Sequence, residues 1–315
     1  MIAAPNGYRM RPASHDDVPA IAEVLLADDF GDAGQSVYDA DFVRNQWAVP
    51  GFDPAVDGRL VLGPDDLVIG FGNVLPEGDT RVKSWGVVHP RHRGRGIGSA
   101  LFGWIEGRAS ERLAGIADAT FEHSINDSDE SAREIVRSRG LGLVRSFRHM
   151  QIDLDGPRDP GTTPAGIEIR SIGAGSDLAR AHAIFVEAFE DEWGYRAIPF
   201  EEWRALEVDI PGFDPSLWLL ALEGGQAVGA LNASSDERRG WIGEIGVRRA
   251  WRGRGIGSAL LRRSFATFAE RGTPRVLLNV DFENPTGAMR LYEKVGMRAV
   301  RGYDVYEKPI GQGSL

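Results

Sequence analysis

The 315-residue chain contains no cysteine. That excludes disulfides, thiolate nucleophiles and thiolate metal sites outright. No apolar run approaches the ~18 residues a spanning helix needs, so no membrane role is expected. The opening residues, MIAAPNGYRMRP, lack the basic region and apolar core of a secretory signal, and a cytoplasmic location is expected. An excess of positive charge is also missing. There are 36 Lys and Arg against 46 Asp and Glu, a formal net charge of −10. That balance argues against a nucleic-acid partner. The remainder is ordinary for a globular protein, with 42% apolar and 26% charged residues in a length that accommodates two domains.

Glycine, by contrast, is plentiful and patterned. The stretch RGRGIGSAL occurs at Arg93–Leu101 and again at Arg252–Leu260, 159 residues apart. The likeness spreads outward. WGVVHPRHRGRGIGSALF from Trp85 lies over EIGVRRAWRGRGIGSALL from Glu244, and SRGLGLVRSFRHMQIDL from Ser138 over KVGMRAVRGYDVYEKPI from Lys294. LDGPRDPGTTPAG, between the copies, reads as a linker. The chain is therefore read as a tandem repeat, with domains 1–155 and 166–315 joined by 156–165. Each domain is expected to be α+β (mixed α/β), with a mostly antiparallel central sheet flanked by helices.

In the second repeat the patterns predict strands over Ile167–Arg170, Trp218–Glu223, Ala227–Ala233, Ile242–Val247 and RVLLNVD. They predict helices over Asp177–Phe189 and Phe200–Val208, and from Ile256 on. Asn284 is expected to cap a last helix that has Pro285 at its first position and Gly296 as its stop. Two closing strands, MRAVRGY and VYEKP, are expected after it.

A strand that runs through glycines into a helix start can hold an anion. The first helical N–H groups lack intrahelical partners, and the helix dipole favours negative charge there. The motif is not a P-loop, which needs Gly-Lys-Ser/Thr, nor the dinucleotide fingerprint G-x-G-x-x-G. A tight strand-to-helix turn that uses glycine only for positive φ is the plain structural alternative.

R-G-x-G-I-G after a strand, then another strand, then N-P-x-x-A-x-x-L-Y-x-x-x-G-M, resembles the Gcn5-related N-acetyltransferase (GNAT) superfamily. Both halves resemble it, the second through two motifs and the first through one. The resemblance implies tandem acyl-CoA N-acyltransferase domains, acetyl-CoA as co-substrate, no metal, and direct transfer to the amine of a small molecule. It implies pyrophosphate contacts at Arg252, Gly253, Arg254, Gly255, Ile256, Gly257 and Ser258, with first-half counterparts Arg93, Gly94, Arg95, Gly96 and Gly98. It places the pantetheine strand at Val247 and Val88, a cofactor contact at Asn284, and the acid that protonates the leaving thiolate at Tyr292. Relatives carry a general base further upstream on the strand before the glycine run, where this chain has Trp241. Glu244 is the candidate base here.

The halves are not equivalent. Counting back from Gly140, Val136 takes the place of Tyr292 and Ser128 that of Asn284, while Trp85 takes that of Glu244. Valine donates no proton, so the first half is expected to be noncatalytic and the second catalytic. VEAFEDEWGYRAIPFEEW (Val186–Trp203) mixes acids with aromatics, a composition suited to a cationic amine. Most of these acids are read as the solvated face of an amphipathic helix, with one or two facing the acceptor. The alternatives are a noncatalytic acetyl-CoA-binding module and acetylation of a protein or peptide amine. Fusion of two copies leaves a monomer or a homodimer as the expected state.

Overall fold

The computed structural model describes residues 4–29, 38–173, 175–210, 212–236, 238–284 and 286–310. In chain order they form β1 (Arg9–Pro12), α1 (Val18–Asp29), α2 (Ala40–Trp47), α3 (Pro54–Asp57), β2 (Gly58–Leu62), β3 (Val68–Glu77), β4 (Arg81–Val88), α4 (Ile97–Arg112), β5 (Ala119–Asn126), α5 (Glu130–Ser138) and β6 (Gly142–Asp153). There follow β7 (Ile167–Ser171), α6 (Ser176–Phe189), α7 (Phe200–Glu207), β8 (Leu219–Glu223), β9 (Gln226–Ser235), β10 (Gly240–Val247), α8 (Ile256–Glu270), β11 (Arg275–Asp281), α9 (Ala288–Lys294) and β12 (Arg298–Ile310).

Two compact units result. The first is Met1–Ser146 with Gly302–Leu315, the second Phe147–Arg301. The chain leaves the first unit within β6 and re-enters it within β12, so the compact units and the sequence repeats have different limits. Each unit has the same sheet. In the first the order is β1-β2-β3-β4-β5-β12, and in the second β7-β8-β9-β10-β11-β6. Neighbours are antiparallel except for β4–β5 and β10–β11. The mixed α/β, mostly antiparallel architecture is the expected one.

Repeated sequence gives repeated local structure. The Arg11 guanidinium grips Asp17 at 2.6 and 2.8 Å, and Arg170 grips Asp177 at 2.6 and 3.1 Å. Each pair ties a first strand to a first helix and holds its aspartate below the ordinary carboxylate range, chiefly through the arginine hydrogen bond. The apolar stripe of α8, Ile256, Leu260, Leu261, Phe265 and Phe268, is buried in the core of the second unit. Each such side chain contributes about 1.5–3 kcal/mol.

Two expectations are corrected. Helix α9 starts at Ala288 behind Gly287, whose φ of 74° is the left-handed region, and Asn284 does not cap it. Asn284 Oδ1 instead accepts from the Thr286 amide at 2.8 Å, a local turn that competes with helix formation. Pro285, expected at the first helical position, lies outside the described residues. The two expected closing strands are one, β12, because Gly302 alone supplies no turn.

Candidate active site

The glycine runs fold alike. Gly253 and Gly255 have φ of 78° and 82°, and Gly94 and Gly96 have 73° and 78°. Only glycine adopts that backbone without strain. Gly255 and Gly96 stand at the N-caps of α8 and α4, and neither helix has a side-chain cap bond. The opening N–H groups of Ile256, Gly257 and Ser258 are thus presented at a bare helix start, the geometry that favours an anion. A Cβ on Gly253 would meet nothing within 4 Å. The third glycine has a packing role. A Cβ on Gly257 would come within 3.1 Å of Leu291, and one on Gly98 within 3.3 Å of Ile135. These positions bring α9 and α5 close.

Arg252 Nε donates to the Val247 carbonyl at 3.1 Å and its Nη2 to that of Ala188 at 3.3 Å. In the first unit Arg93 Nε reaches the Val88 carbonyl at 3.4 Å. The neighbouring arginines are engaged elsewhere. Arg254 pairs with Glu223, and Arg95 donates to the Tyr8 hydroxyl at 2.8 Å.

β10 is interrupted where the candidate base stands. Its register against β9 shifts between Ile242 and Glu244, so Gly243 is an extra residue and the strand bulges. The parallel pairing of β10 with β11 covers only Gly240–Ile242 against Val276–Leu278. Beyond that point the two strands part. Asn232 on β9 fills the bulge. Its Oδ1 accepts from the Glu244 amide at 2.5 Å, and its Nδ2 donates to Glu244 Oε2 at 2.8 Å. A side chain at Gly243 would collide with Asn232, at 2.6 Å from Oδ1.

Glu244 is half-buried, and its carboxyl is pushed up to about 7. Burial is the main cause and repulsion from Glu207 and Glu192 adds to it, while Trp203 and Asn232 act the other way. The buried Trp203 indole lies beside the carboxyl, yet its N–H meets no acceptor in hydrogen-bond geometry among the described residues.

Glu192 connects the remaining groups. Asn284 Nδ2 donates to its Oε1 at 2.7 Å. A cavity of about 220 Å³ is lined by Glu192, Arg252, Ala188, Asp191 and Thr286. Burial, more than any other effect, pushes the Glu192 carboxyl up to about 7, with the Asn284 bond and the Arg252 charge opposing. The same carboxylate raises the phenols of Tyr292 and Tyr195, in both cases behind burial as the main cause. Tyr292, on α9, is 7% exposed, and its hydroxyl has no hydrogen-bond partner among the described residues. Arg252, Asn284, Tyr292 and Glu244 thus all interact with or lie around one side chain. That side chain belongs to the acidic segment that sequence reading assigned mostly to solvent.

The first unit holds the counterparts in the same places. The amide of Leu141 bonds the Val136 carbonyl at 3.1 Å, as that of Met297 bonds the Tyr292 carbonyl at 3.0 Å, so Val136 stands where Tyr292 does. The Trp85 amide donates to Asn73 Oδ1 at 3.2 Å, the counterpart of the Asn232 bond. Ser128 turns onto Asn126 Oδ1. Sequence reading missed Asn232 and Gly243, and it did not separate Glu192 from the neighbouring acids, of which it expected one or two to face the acceptor. The recurrence of an asparagine at 73 and 232, with the same spacing as the glycine runs, was the available signal for the first. Among the described residues no group of three or more His, Asp or Glu could hold a metal ion, and no helix is long and apolar enough to cross a membrane.

Comparison with known proteins agrees with this repeated architecture. The family model described as acetyltransferase (GNAT) family matches residues 20–140 and again 178–297. A mycothiol acetyltransferase from Thermobispora bispora is 30% identical over 75% of this chain and 79% of that protein. One from Streptomyces scabiei is 31% identical over 67% of this chain, which spans 66% of that relative's length. Among solved structures, a GCN5-related N-acetyltransferase from Sphaerobacter thermophilus is 34% identical, with a TM-score of 0.84 over 99% of this chain and 98% of the other. A tandem GNAT protein from the clavulanic acid biosynthesis pathway shares the fold at 17% identity, with a TM-score of 0.69 over 98% of this chain and all of that one.

Proposed function

The chain belongs to the acetyltransferase (GNAT) family, and from that premise we propose that its second repeat moves an acetyl group from acetyl-CoA to a primary amine of a small molecule. The observation that carries this is the convergence on Glu192 of the Arg252 charge, the Asn284 amide and the Tyr292 phenol, next to the gap that the Gly243 bulge opens between β10 and β11.

The bare start of α8 and the Arg252 guanidinium suit a pyrophosphate, and the cavity beside them gives it room. The carrier supplies a thioester, whose carbonyl an amine attacks directly. Glu244 takes the proton of the incoming ammonium, a task suited to a carboxyl titrating near neutrality. Asn232 fixes the direction of that carboxylate. As the carbon–nitrogen bond forms and the carbon–sulfur bond breaks, Tyr292 gives its proton to the departing thiolate, and the second proton that the nitrogen sheds on becoming an amide passes to solvent, from which the phenol is reprotonated. Burial and the Glu192 charge raise the phenol, which keeps it in the protonated form needed for donation and also makes it a weaker acid toward the thiolate. The acids around Glu244 favour a cationic acceptor. The name shared by the relatives makes a mycothiol-type amine the first acceptor to try.

The test is release of free thiol from acetyl-CoA across a panel of amines, with wild type and Tyr292→Phe side by side. Release that needs an amine and is lost in the variant, with CoA binding retained, is the expected result. No release with any amine would overturn the proposal.

A further inference from the structure

The two cradles share a backbone but differ in what neutralises their arginine. Counting eleven residues on from Asp17 and from Asp177, which open the paired helices, gives Asp28 in α1 and Ala188 in α6. Arg252 donates to the Ala188 backbone carbonyl and forms no ion pair among the described residues. Arg93 pairs with the Asp28 carboxylate and, at 3.2 Å, with that of Asp129. Both aspartates are largely buried, with side chains 10% and 19% exposed. Asp129 is also fixed from the other side, since its Oδ1 accepts from the Ala132 amide at 3.0 Å and caps α5.

We propose that only the second repeat takes a pyrophosphate-bearing carrier, because Asp28 and Asp129 close the first repeat's cradle by neutralising Arg93. The proposal rests on the reading of the Arg252 cradle as the carrier site. The glycine dihedrals and the uncapped helix start are the same in both units, so backbone geometry does not discriminate. Side-chain charge does. Around Arg252 the immediate partners are carbonyl dipoles and the cation remains available. Around Arg93 two carboxylates already pair with the one guanidinium, and an incoming dianion must compete with them for it. Displacing the carboxylates would leave them buried beside that dianion. Arg95 keeps its charge but is turned to the Tyr8 hydroxyl, while Arg254 in the second unit pairs with Glu223, so the contrast between the cradles rests on Arg93 and Arg252. In the second unit the carboxyl that senses Arg252 is that of Glu192, which titrates near 7 and can shed its charge by taking up a proton. Asp28 and Asp129 thus act as specificity-determining residues that leave one carrier per chain.

Calorimetric titration of the full chain with CoA tests this. Wild type is expected to show one site, and Arg252→Ala to weaken it by at least about tenfold with no second site left behind. Asp28→Ala combined with Asp129→Asn, which keeps a capping oxygen, is expected to gain a second site that survives Arg252→Ala and disappears with Arg93→Ala. Two sites in wild type would overturn the proposal alone, as would a folded double variant with no gain. Should the double variant fail to fold, Arg252→Ala decides the matter: tight residual binding refutes the closed cradle and its absence supports it. A wild-type chain that binds no CoA at all overturns the carrier reading, and this proposal with it.

Discussion

Asn73 and Asn232 occupy one position in the two sheets, both buried, both with Oδ1 on the amide of the residue opposite. They differ in what their amide nitrogens meet. Asn232 Nδ2 holds the Glu244 carboxylate, while Asn73 Nδ2 has no hydrogen-bond partner among the described residues. Around Asn73, β3 and β4 pair without interruption and β4 follows β5 through Trp85. Trp85 then packs on Phe71 with ring centroids 5.1 Å apart and lies 6.1 Å from Phe42. Around Asn232 the extra Gly243 bends the strand, and an acid replaces the indole. The same fold has been completed as an apolar core in one unit and as a polar gap in the other. One unpaired residue in the ladder and a few substitutions suffice, because a bulge bends its strand and redirects the side chain beside it.

The largest expected effect comes from making the units alike at Tyr292. Tyr292→Phe should lower kcat by roughly 10²–10⁴, read as thiol release with CoA binding unchanged. Val136→Tyr in the first repeat should leave turnover as it is. An unchanged rate in Tyr292→Phe would remove the main functional distinction between the repeats.

Glu244→Gln should cost about a hundredfold in kcat/KM. As a base, Glu244 works only as the carboxylate, so wild-type rate should climb as pH rises through about 7. The variant should lose that limb of the pH profile. Trp85→Phe should change neither rate nor profile.

Gly243→Ala tests the bulge. Its Cβ would lie 2.6 Å from Asn232 Oδ1, so the asparagine must move off Glu244 or the strand must shift. A loss of about 1–3 kcal/mol in urea unfolding is expected, with the pH profile displaced. A fully stable variant with an unaltered profile would show that the bulge does not position the base.

The smallest effect concerns stability. The Glu192 carboxyl is raised from 4.5 to about 7 on folding. The native state therefore keeps a proton that the unfolded chain has lost between those values. The favourable contribution is complete below about 4.5 and is lost as pH rises through 7. Glu192→Gln should stabilise the protein at pH 8 by on the order of 1 kcal/mol, discounted for partial exposure, and make little difference at pH 4. Thermal melts at the two pH values check the sign.

Much of the site was legible from residue spacing. The glycine runs, Tyr292 against Val136 and Glu244 against Trp85 could all be read by aligning the chain with itself. Asn284 was legible as a polar residue at a turn, but its partner was not, because Glu192 lies 92 positions away. The acids at 187–192 look alike in sequence. Glu187 pairs with Arg248 and Glu190 and Asp191 with Arg249, whereas Glu192 turns to Asn284. Composition cannot sort them, since burial and partner choice depend on where a helix end lands against distant strands.

By itself the sequence determined the repeat, the strand–glycine–helix cradles and the valine that stands in the first half where the second has Tyr292. These follow from local backbone preference and side-chain chemistry, which act over a few residues. Only the tertiary structure decided that the last strand of the chain completes the first unit and that Gly243 bulges. It likewise decided which carboxylates share the site and which cradle arginine is already neutralised. Each of these depends on pairing and charge between segments far apart in the chain, where a difference of one residue in register or one partner in space changes the outcome.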